Sequence, residues 1–252
     1  MAEKKEHKIV AANSGEAKKP AAKPAGTTQT VQHTVKPAGE KGNAGGLRAG
    51  AVVLWVIAIV FEVLAALVLF GKINLTFMPM MWQLIAFLVL DLVCVIIGSQ
   101  LWKKANHIDP ASEKNKTKFW LWNNMGVIVC CFAFIPIIIL FLSNKDLDKK
   151  TKVICTIVAI IALLIGGAAS VDYNPVSQEQ LATAENVLGD TDVYWAPFGK
   201  VYHTHEDCQA LNNSETLTVG KVDDAIAANR TRLCSFCARR DSITEVATDD
   251  AA

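Results

Sequence analysis

Four stretches of this chain are almost free of charge, and short polar connections separate them. Residues 51–70 hold one charged side chain, Glu62, and residues 82–102 hold one, Asp91; residues 119–142 and 153–169 hold none. A helix that crosses a bilayer needs about 20 mostly apolar residues, with a range of roughly 17–25. All four stretches meet that length, and a helix satisfies its own backbone in hydrocarbon, where water cannot. A soluble helical bundle would instead show apolar stripes opposed by polar faces, and these are missing. The connections 71–81, 103–118 and 143–152 are short, so neighbouring helices are expected to pack antiparallel as an all-α, four-helix membrane bundle. Trp82, Trp102, Trp120 and Trp122 fall at segment ends, where aromatic belts form at the membrane interface.

The pattern changes on either side of the bundle. Residues 1–48 are rich in Ala, Lys, Gly, Pro and Thr, with only Ile9, Val10, Val31 and Val35 to bury before Leu47. So little apolar surface cannot offset the entropy of ordering the backbone, and a disordered basic tail is expected. No early apolar run of the kind that marks a cleaved signal opens the chain. The tail's lysines are spread out, unlike the clusters of 4–8 that hold a segment on anionic lipid. After residue 170, Ser177 stands three before Gln180, a capping box that predicts a helix from about 178 to 188, stopped at Gly189 within a linker of residues 171–192. Two β-rich runs, 193–196 and 200–203, flank Pro197-Phe198-Gly199 and predict a hairpin. A short helix around 222–229 precedes Cys234-Ser235-Phe236-Cys237, giving a small α+β module over residues 193–240. An acidic, disordered tail is expected over 241–252.

Charge makes the division sharper. The chain is 52% hydrophobic and 19% charged, with a net charge of +1. Ordinary soluble domains carry about 25% charged residues. Residues 1–48 have a net charge of +5, residues 49–170 of +4 and residues 171–252 of −8. This excludes one soluble globule and a wholly disordered chain. Lys and Arg near the helix ends bear on orientation. Lys36, Lys41, Arg48, Lys103, Lys104, Lys114, Lys116, Lys118 and Lys200 fall on the side of the amino terminus if all four segments cross. Lys72, Lys145, Lys149, Lys150 and Lys152 fall opposite. Nine against five puts both termini in the cytoplasm. The fourth helix alone, with four lysines before it, prefers its carboxyl end outside. Both preferences hold together only if one segment fails to span, for example a third segment re-entering at Pro136.

Glu62 lies nine residues before Gly71, and Asp91 lies ten after Met81, so a hairpin would set both near the bilayer midplane. A charge there costs about 2.5–3.5 kcal/mol on insertion scales, and such residues face the bundle interior. No Lys or Arg lies in the four segments to neutralise them. Two readings follow: a proton- or cation-linked site, as in a small transporter or channel subunit, or two protonated acids joining helices by hydrogen bonds. Cys94, Cys130, Cys131 and Cys155 within the segments read as small apolar packing groups.

The remaining three cysteines, with two histidines, form the one constellation with metal-ligand spacing: His203, His205, Cys208, Cys234 and Cys237. A structural zinc ion takes four N or S ligands at tetrahedral angles. Cys234-x2-Cys237 makes the turn that aims two thiolates at one ion, and Cys208 with one histidine completes the set. On spacing alone either histidine fits. A redox pair of Cys234 and Cys237 would leave the upstream residues without a role. Val193-Tyr194, Gly199, Tyr202-His203, Cys208 and Leu233-Cys234-Ser235-Phe236-Cys237 resemble a family of small bacterial zinc-binding domains. These are similar to the metal-binding domain of DNA methylphosphotriester repair proteins and to modules appended to some secreted nucleases. The resemblance spans about residues 193–240 and implies one structural Zn2+ held by His203, Cys208, Cys234 and Cys237, with His205 the alternative ligand. It also implies a bacterial protein, here in the plasma membrane. The repair domains use a fourth cysteine as methyl acceptor; His203 stands at a ligand position in this chain, so repair chemistry does not transfer.

Nucleic-acid binding requires basic surface. The one cluster, Arg230, Arg232, Arg239 and Arg240, sits in the acidic block, so no nucleic-acid partner is expected. No nucleophile–base pair, phosphate loop or open metal position is visible, and no enzymatic activity is expected. The sequence therefore reads as a multi-pass membrane protein whose zinc module serves interaction or regulation with a protein partner. Transport through Glu62 and Asp91 is the first alternative, and a metal sensor or nucleic-acid-binding membrane protein is another.

Overall fold

The computed structural model describes residues 8–12, 17–18, 43–73, 76–246 and 248. Two short strands open it, β1 (Lys8–Ala11) and β2 (Ala17–Lys18), followed by helices α1 (Ala44–Leu69), α2 (Met80–Ile108), α3 (Lys116–Asn123), α4 (Met125–Ser143) and α5 (Lys149–Ser170). Then come α6 (Gln178–Leu188), β3 (Val193–Trp195), β4 (Val201–Tyr202), a turn of 3-10 helix at Gln209–Leu211, β5 (Thr216–Gly220), α7 (Val222–Ala227), β6 (Arg232–Leu233) and α8 (Ser235–Asp241). These elements form two compact units. One joins Met1–Asn43, His107–Lys114 and Asn174–Ala252; the other joins Ala44–Asn106 and Asn115–Tyr173.

In the helical unit α1, α2, α4 and α5 are each long and apolar enough to cross a membrane. Small residues line the inner faces of α1 and α5, while Leu84, Leu88, Phe134, Ile137 and Phe141 fill the core from α2 and α4. Ala51, Ala58 and Ala65 repeat every seven positions along α1 and are buried, while Val52, Val56, Val60 and Val63 face outward. This is the reverse of a water-soluble bundle. It suits hydrocarbon, where helices gain by packing closely through small residues. Gly98 on α2 is pressed so close to Trp55 and Ala51 on α1 that an added Cβ would lie 2.6 Å from the Trp55 Nε1 and 3.2 Å from the Ala51 carbonyl oxygen.

Two expectations for this unit change. The third apolar stretch is two helices, not one: it breaks at Asn124 (φ −102°, ψ 8°), whose N–H still donates to Trp120 O. Asn123 and Asn124 are poor helix formers whose side chains compete for backbone bonds. By contrast Pro136 lies inside an unbroken α4, so it marks no re-entrant turn. Second, Trp102 is 7% exposed. It stacks between Trp55 and Trp122 at centroid distances of 5.3 and 5.4 Å, with the Arg48 guanidinium over it. Its indole N–H donates to Trp122 O at 2.8 Å. Trp82 and Trp120 keep large exposed surfaces, as interfacial residues would.

The other unit has one core, formed by residues that include Trp195, Tyr202, Leu211, Leu217, Ile226 and Leu233. The capping box forms as read: Gln180 N–H donates to Ser177 Oγ at 3.1 Å, and Ser177 N–H donates to Gln180 Oε1 at 3.2 Å. Gly189 ends α6 at φ +53°, a conformation glycine adopts without penalty. However, α6 is no mere linker, because Leu181, Ala184 and Leu188 lie in the core. Val246 is also part of it, so the folded chain runs past residue 240; the rest of the acidic tail, 247 and 249–252, lies outside the described residues.

The two β-rich runs do not stay together as a hairpin. They share one pairing, Tyr194 with His203, through N–H to O bonds of 2.7 and 2.8 Å. Beyond it β3 pairs antiparallel with β5, and β4 pairs parallel with β6. The sheet holding β3 has the order β2-β1-β5-β3. Thus Lys8–Ala11, assigned to a disordered tail, is a strand: Ile9 and Val10, isolated in sequence, lie half-buried in register with Leu217 and Thr218. The remainder of that tail, apart from 12, 17–18 and 43–48, lies outside the described residues.

Candidate metal centre

The short parallel pairing of β4 with β6 builds the site. Tyr202 stands opposite Leu233, and Cys234 N–H donates to Tyr202 O at 2.9 Å. The next residue on each strand, His203 and Cys234, is thereby brought to the same end of the pair. Cys237 follows on the first turn of α8, and Cys208 opens the turn at Gln209–Leu211. The ligand atoms of His203, Cys208, Cys234 and Cys237 all lie within 4.8 Å of one another, and all four residues are buried. Cys208 Sγ is 3.9 Å from Cys234 Sγ, and Cys237 Sγ is 3.8 Å from His203 Nδ1. Thiolates about 2.3 Å from a tetrahedral ion are separated by about 3.8 Å, close to the Cys208–Cys234 distance. The cluster can hold a metal ion.

Its electrostatics point the same way. Burial pushes the Cys208 thiol up to about 12, with Cys237 and Cys234 adding to the shift, and burial raises Cys234 as well. Three thiolates cannot be kept so close in a buried pocket unless a cation neutralises them. Meanwhile the backbone N–H groups of Phe236 and Cys237 are directed at Cys234 Sγ, and that of Ala210 at Cys208 Sγ. These donors favour the charged sulfur, but burial outweighs them while no cation is present.

His205, the alternative ligand, is turned away. Its Nε2 lies 2.6 Å from Asp241 Oδ1, and Thr204 donates to the other carboxylate oxygen. Burial pushes the Asp241 carboxyl up, but its bonds from Thr204 and His205 outweigh that and hold it below the usual range. Here the histidine–acid pair latches the end of α8 to the loop after β4. His205→Ala is expected to leave the metal content of the full chain unchanged, whereas His203→Ala lowers it; metal analysis by mass spectrometry distinguishes the two.

Sequence reading missed the Asp241 latch and the role of Arg230. The Arg230 guanidinium donates to Ala196 O at 3.1 Å and to Pro197 O, holding the turn on which Phe198 is fully exposed. Neither contact has a spacing signal, because the partners lie more than thirty residues apart.

Glu62 lies on α1 and Asp91 on α2 of the helical unit. Asp91 is 1% exposed, and both its carboxyl oxygens are buried without a hydrogen-bond partner among the described residues. Glu62 is half-buried. They are not level: Phe61, beside Glu62, packs on Phe87 at 6.3 Å between ring centroids, and Asp91 lies four residues beyond Phe87. At 1.5 Å per residue the acids are offset by roughly one helical turn. The close seat of Gly98 against Ala51 sets this register. Cys130 and Cys155 are fully buried packing groups; Cys130 Sγ lies 3.7 Å from Leu163 O.

Comparison with family models, with curated proteins and with solved structures finds no match for this chain.

Proposed function

We propose that the chain is a membrane-anchored interaction protein whose carboxyl-terminal unit is closed around one structural zinc ion. The observation that carries this reading is the buried set of one imidazole and three thiols within 4.8 Å. Four protein ligands leave no open position for substrate or water, which separates a structural from a catalytic site. Zinc would neutralise the thiolates and cross-link β4, β6 and α8, and it would supply no redox or hydrolytic chemistry. The resulting rigid surface presents Phe198 on its braced turn, an aromatic group of the kind that anchors protein partners. Nucleic acid is a poor fit: Arg230 is spent on turn carbonyls, Arg240 pairs with Asp207 at 2.9 Å, and Arg239 lies over Phe236. The reading assigns no catalysis. It is tested by zinc analysis of the purified full chain, with one ion per chain expected; a metal-free chain with a cooperatively melting module would overturn it. Metal sensing, in contrast, requires weak and reversible binding, so a submicromolar affinity argues against it.

A second reading rests on Asp91. A buried acid whose two oxygens have no partner among the described residues, within apolar stretches that contain no Lys or Arg, is suited to taking up a proton or cation. If it does, Asp91→Asn in proteoliposomes abolishes proton or cation flux and Glu62→Gln reduces it. Flux indistinguishable from the unaltered chain in both variants leaves the acids as packing groups.

A further inference from the structure

We propose that the edge of β5 is a strand-docking site occupied by the chain's own Lys8–Ala11. It follows that this tail strand, the loop at His107–Lys114 and the metal-binding unit share the cytoplasmic face of the membrane, with all four apolar helices crossing it.

The docking is specific in register. β1 runs parallel to β5, with Lys8, Ile9, Val10 and Ala11 opposite Thr216, Leu217, Thr218 and Val219. Ala12 N–H donates to Val219 O at 2.7 Å. Gly220 leaves the space that Ala12 takes, since an added Cβ would lie 3.0 Å from the Ala12 Cβ and 2.9 Å from Trp195. β5 is paired on its other side with β3. Without β1 it would present a bare row of N–H and C=O groups, a template for any extended segment.

Parallel pairing cannot arise from a local turn. Here the partners are about two hundred residues apart, and every apolar helix lies between them. A strand that completes a sheet is on the same side of the bilayer as that sheet, so the number of crossings between Ala11 and Thr216 is even. The loop between α2 and α3 adds a second constraint. Ala111 O accepts from Gln178 N–H at 3.2 Å, and the Glu179 carboxylate accepts from Glu113 N–H at 2.9 Å and from the Ser112 hydroxyl. Crossings between this loop and α6 are therefore also even. Of the helices long and apolar enough to cross, only α1 and α2 separate the tail from the loop, and only α4 and α5 separate the loop from α6. Each pair crosses together or not at all, and each helix has the length and apolarity to cross. A re-entrant third segment beside three true spans would put α6 across the membrane from the loop it bonds.

Parity gives a shared side, and charge names it. The shared side carries the nine Lys and Arg residues near helix ends against five opposite, which is the cytoplasmic excess. The three clustered thiols agree, since a reducing compartment keeps them available. The contrary preference of α5 alone is overridden by the contacts of the segments that flank it.

The test uses the full chain in sealed, oriented vesicles. Epitope tags placed before Met1 and after Ala252 are expected to resist external protease in right-side-out vesicles, while a tag between Asn144 and Lys145 is cleaved. Ends that behave oppositely, or a protected 144 tag beside two cleaved ends, overturn the topology. The docking is read by amide exchange. Bonding alternates along a strand, so the Val10 N–H faces β5 as that of Ala12 does. Val10→Pro removes it, and exchange in residues 216–220 is expected to rise at least about tenfold with α6 unchanged. Excess synthetic peptide spanning residues 7–13 then restores protection. Unchanged exchange in Val10→Pro overturns the docking whether or not metal is bound.

Discussion

Replacing Cys234 or Cys237 by serine is expected to take the full chain from one bound zinc ion to none and to unfold the segments that converge on it. The magnitude follows from comparison. A structural zinc site supplies about 10–16 kcal/mol of apparent binding free energy, whereas a whole domain is stable by only about 5–15 kcal/mol. No rearrangement of a small core replaces that. The loss should be uneven, however. His203, Cys208, Cys234 and Cys237 tie β4, the turn at Gln209–Leu211, β6 and α8 together. α6, β3, β5 and α7 reach the same core through Leu181, Leu188, Trp195, Leu217 and Ile226. Amide exchange within 201–211 and 232–241 is therefore expected to accelerate roughly a hundredfold or more, equivalent to about 2.7 kcal/mol or above, while 178–188 changes less. Chelation should reproduce the variants. Acid should too, because each thiol that binds metal gives up its proton and the apo cluster holds those protons tightly. Cys94→Ser and Cys131→Ser, within the apolar helices, should keep the ion. Retained zinc in Cys234→Ser would show that these side chains are neighbours for packing alone.

What could be read from sequence divides along physical lines. The four apolar helices were legible because a run of about twenty residues with at most one charge has few alternatives in water, and α6 was legible because Ser177, Gln180 and Gly189 are local end signals. The three cysteine donors were legible from chemistry, as the only cysteines outside the apolar stretches invite one ion. The histidine choice came from resemblance, since His203 and His205 have equivalent spacing; in the structure it is decided by Asp241, which captures His205. Most of what was missed is non-local or too short to carry a period. β4 and β6 are two residues each, and β1 sits in a polar tail where Ile9 and Val10 alone suggest nothing. Trp102 looked interfacial by position, yet Trp55, Trp122 and Arg48 enclose it. The break at Asn124 was hidden because the apolar run continues through it, and Pro136 drew attention to the wrong place.

Adjacent glycines near the end of α5 are expected to give opposite results, and the contrast probes the helical unit as the cysteine variants probe the metal site. A Cβ built on Gly166 meets Cys130 Sγ at 2.9 Å and Leu92 Cδ1 at 3.1 Å, whereas one built on Gly167 meets nothing within 4 Å. Cys130 on α4 and Leu92 on α2 are held by their own helices. A leucine at 166 must therefore push apart three helices that close on the space the glycine leaves, and overfilling a packed interior costs about 1–3 kcal/mol or more. Lipid offers no compensating hydrophobic gain, since apolar side chains are as well placed outside the bundle as in it. Gly167→Leu points its side chain outward and loses only the conformational cost of glycine in a helix, a change in the stabilising direction of up to about 1 kcal/mol. In detergent or nanodiscs, Gly166→Leu should lower the thermal midpoint of the helical unit by several degrees and broaden its size-exclusion profile. Gly166→Ala should fall between, its methyl group forcing Cys130 to shift by a few tenths of an ångström. Gly167→Leu should match or exceed the unaltered chain. Equal behaviour of the two leucine variants would mean that α2, α4 and α5 do not converge at residue 166. The buried setting of Asp91, one residue from the Leu92 that Gly166 faces, would then have to be rebuilt along with any transport reading that depends on it.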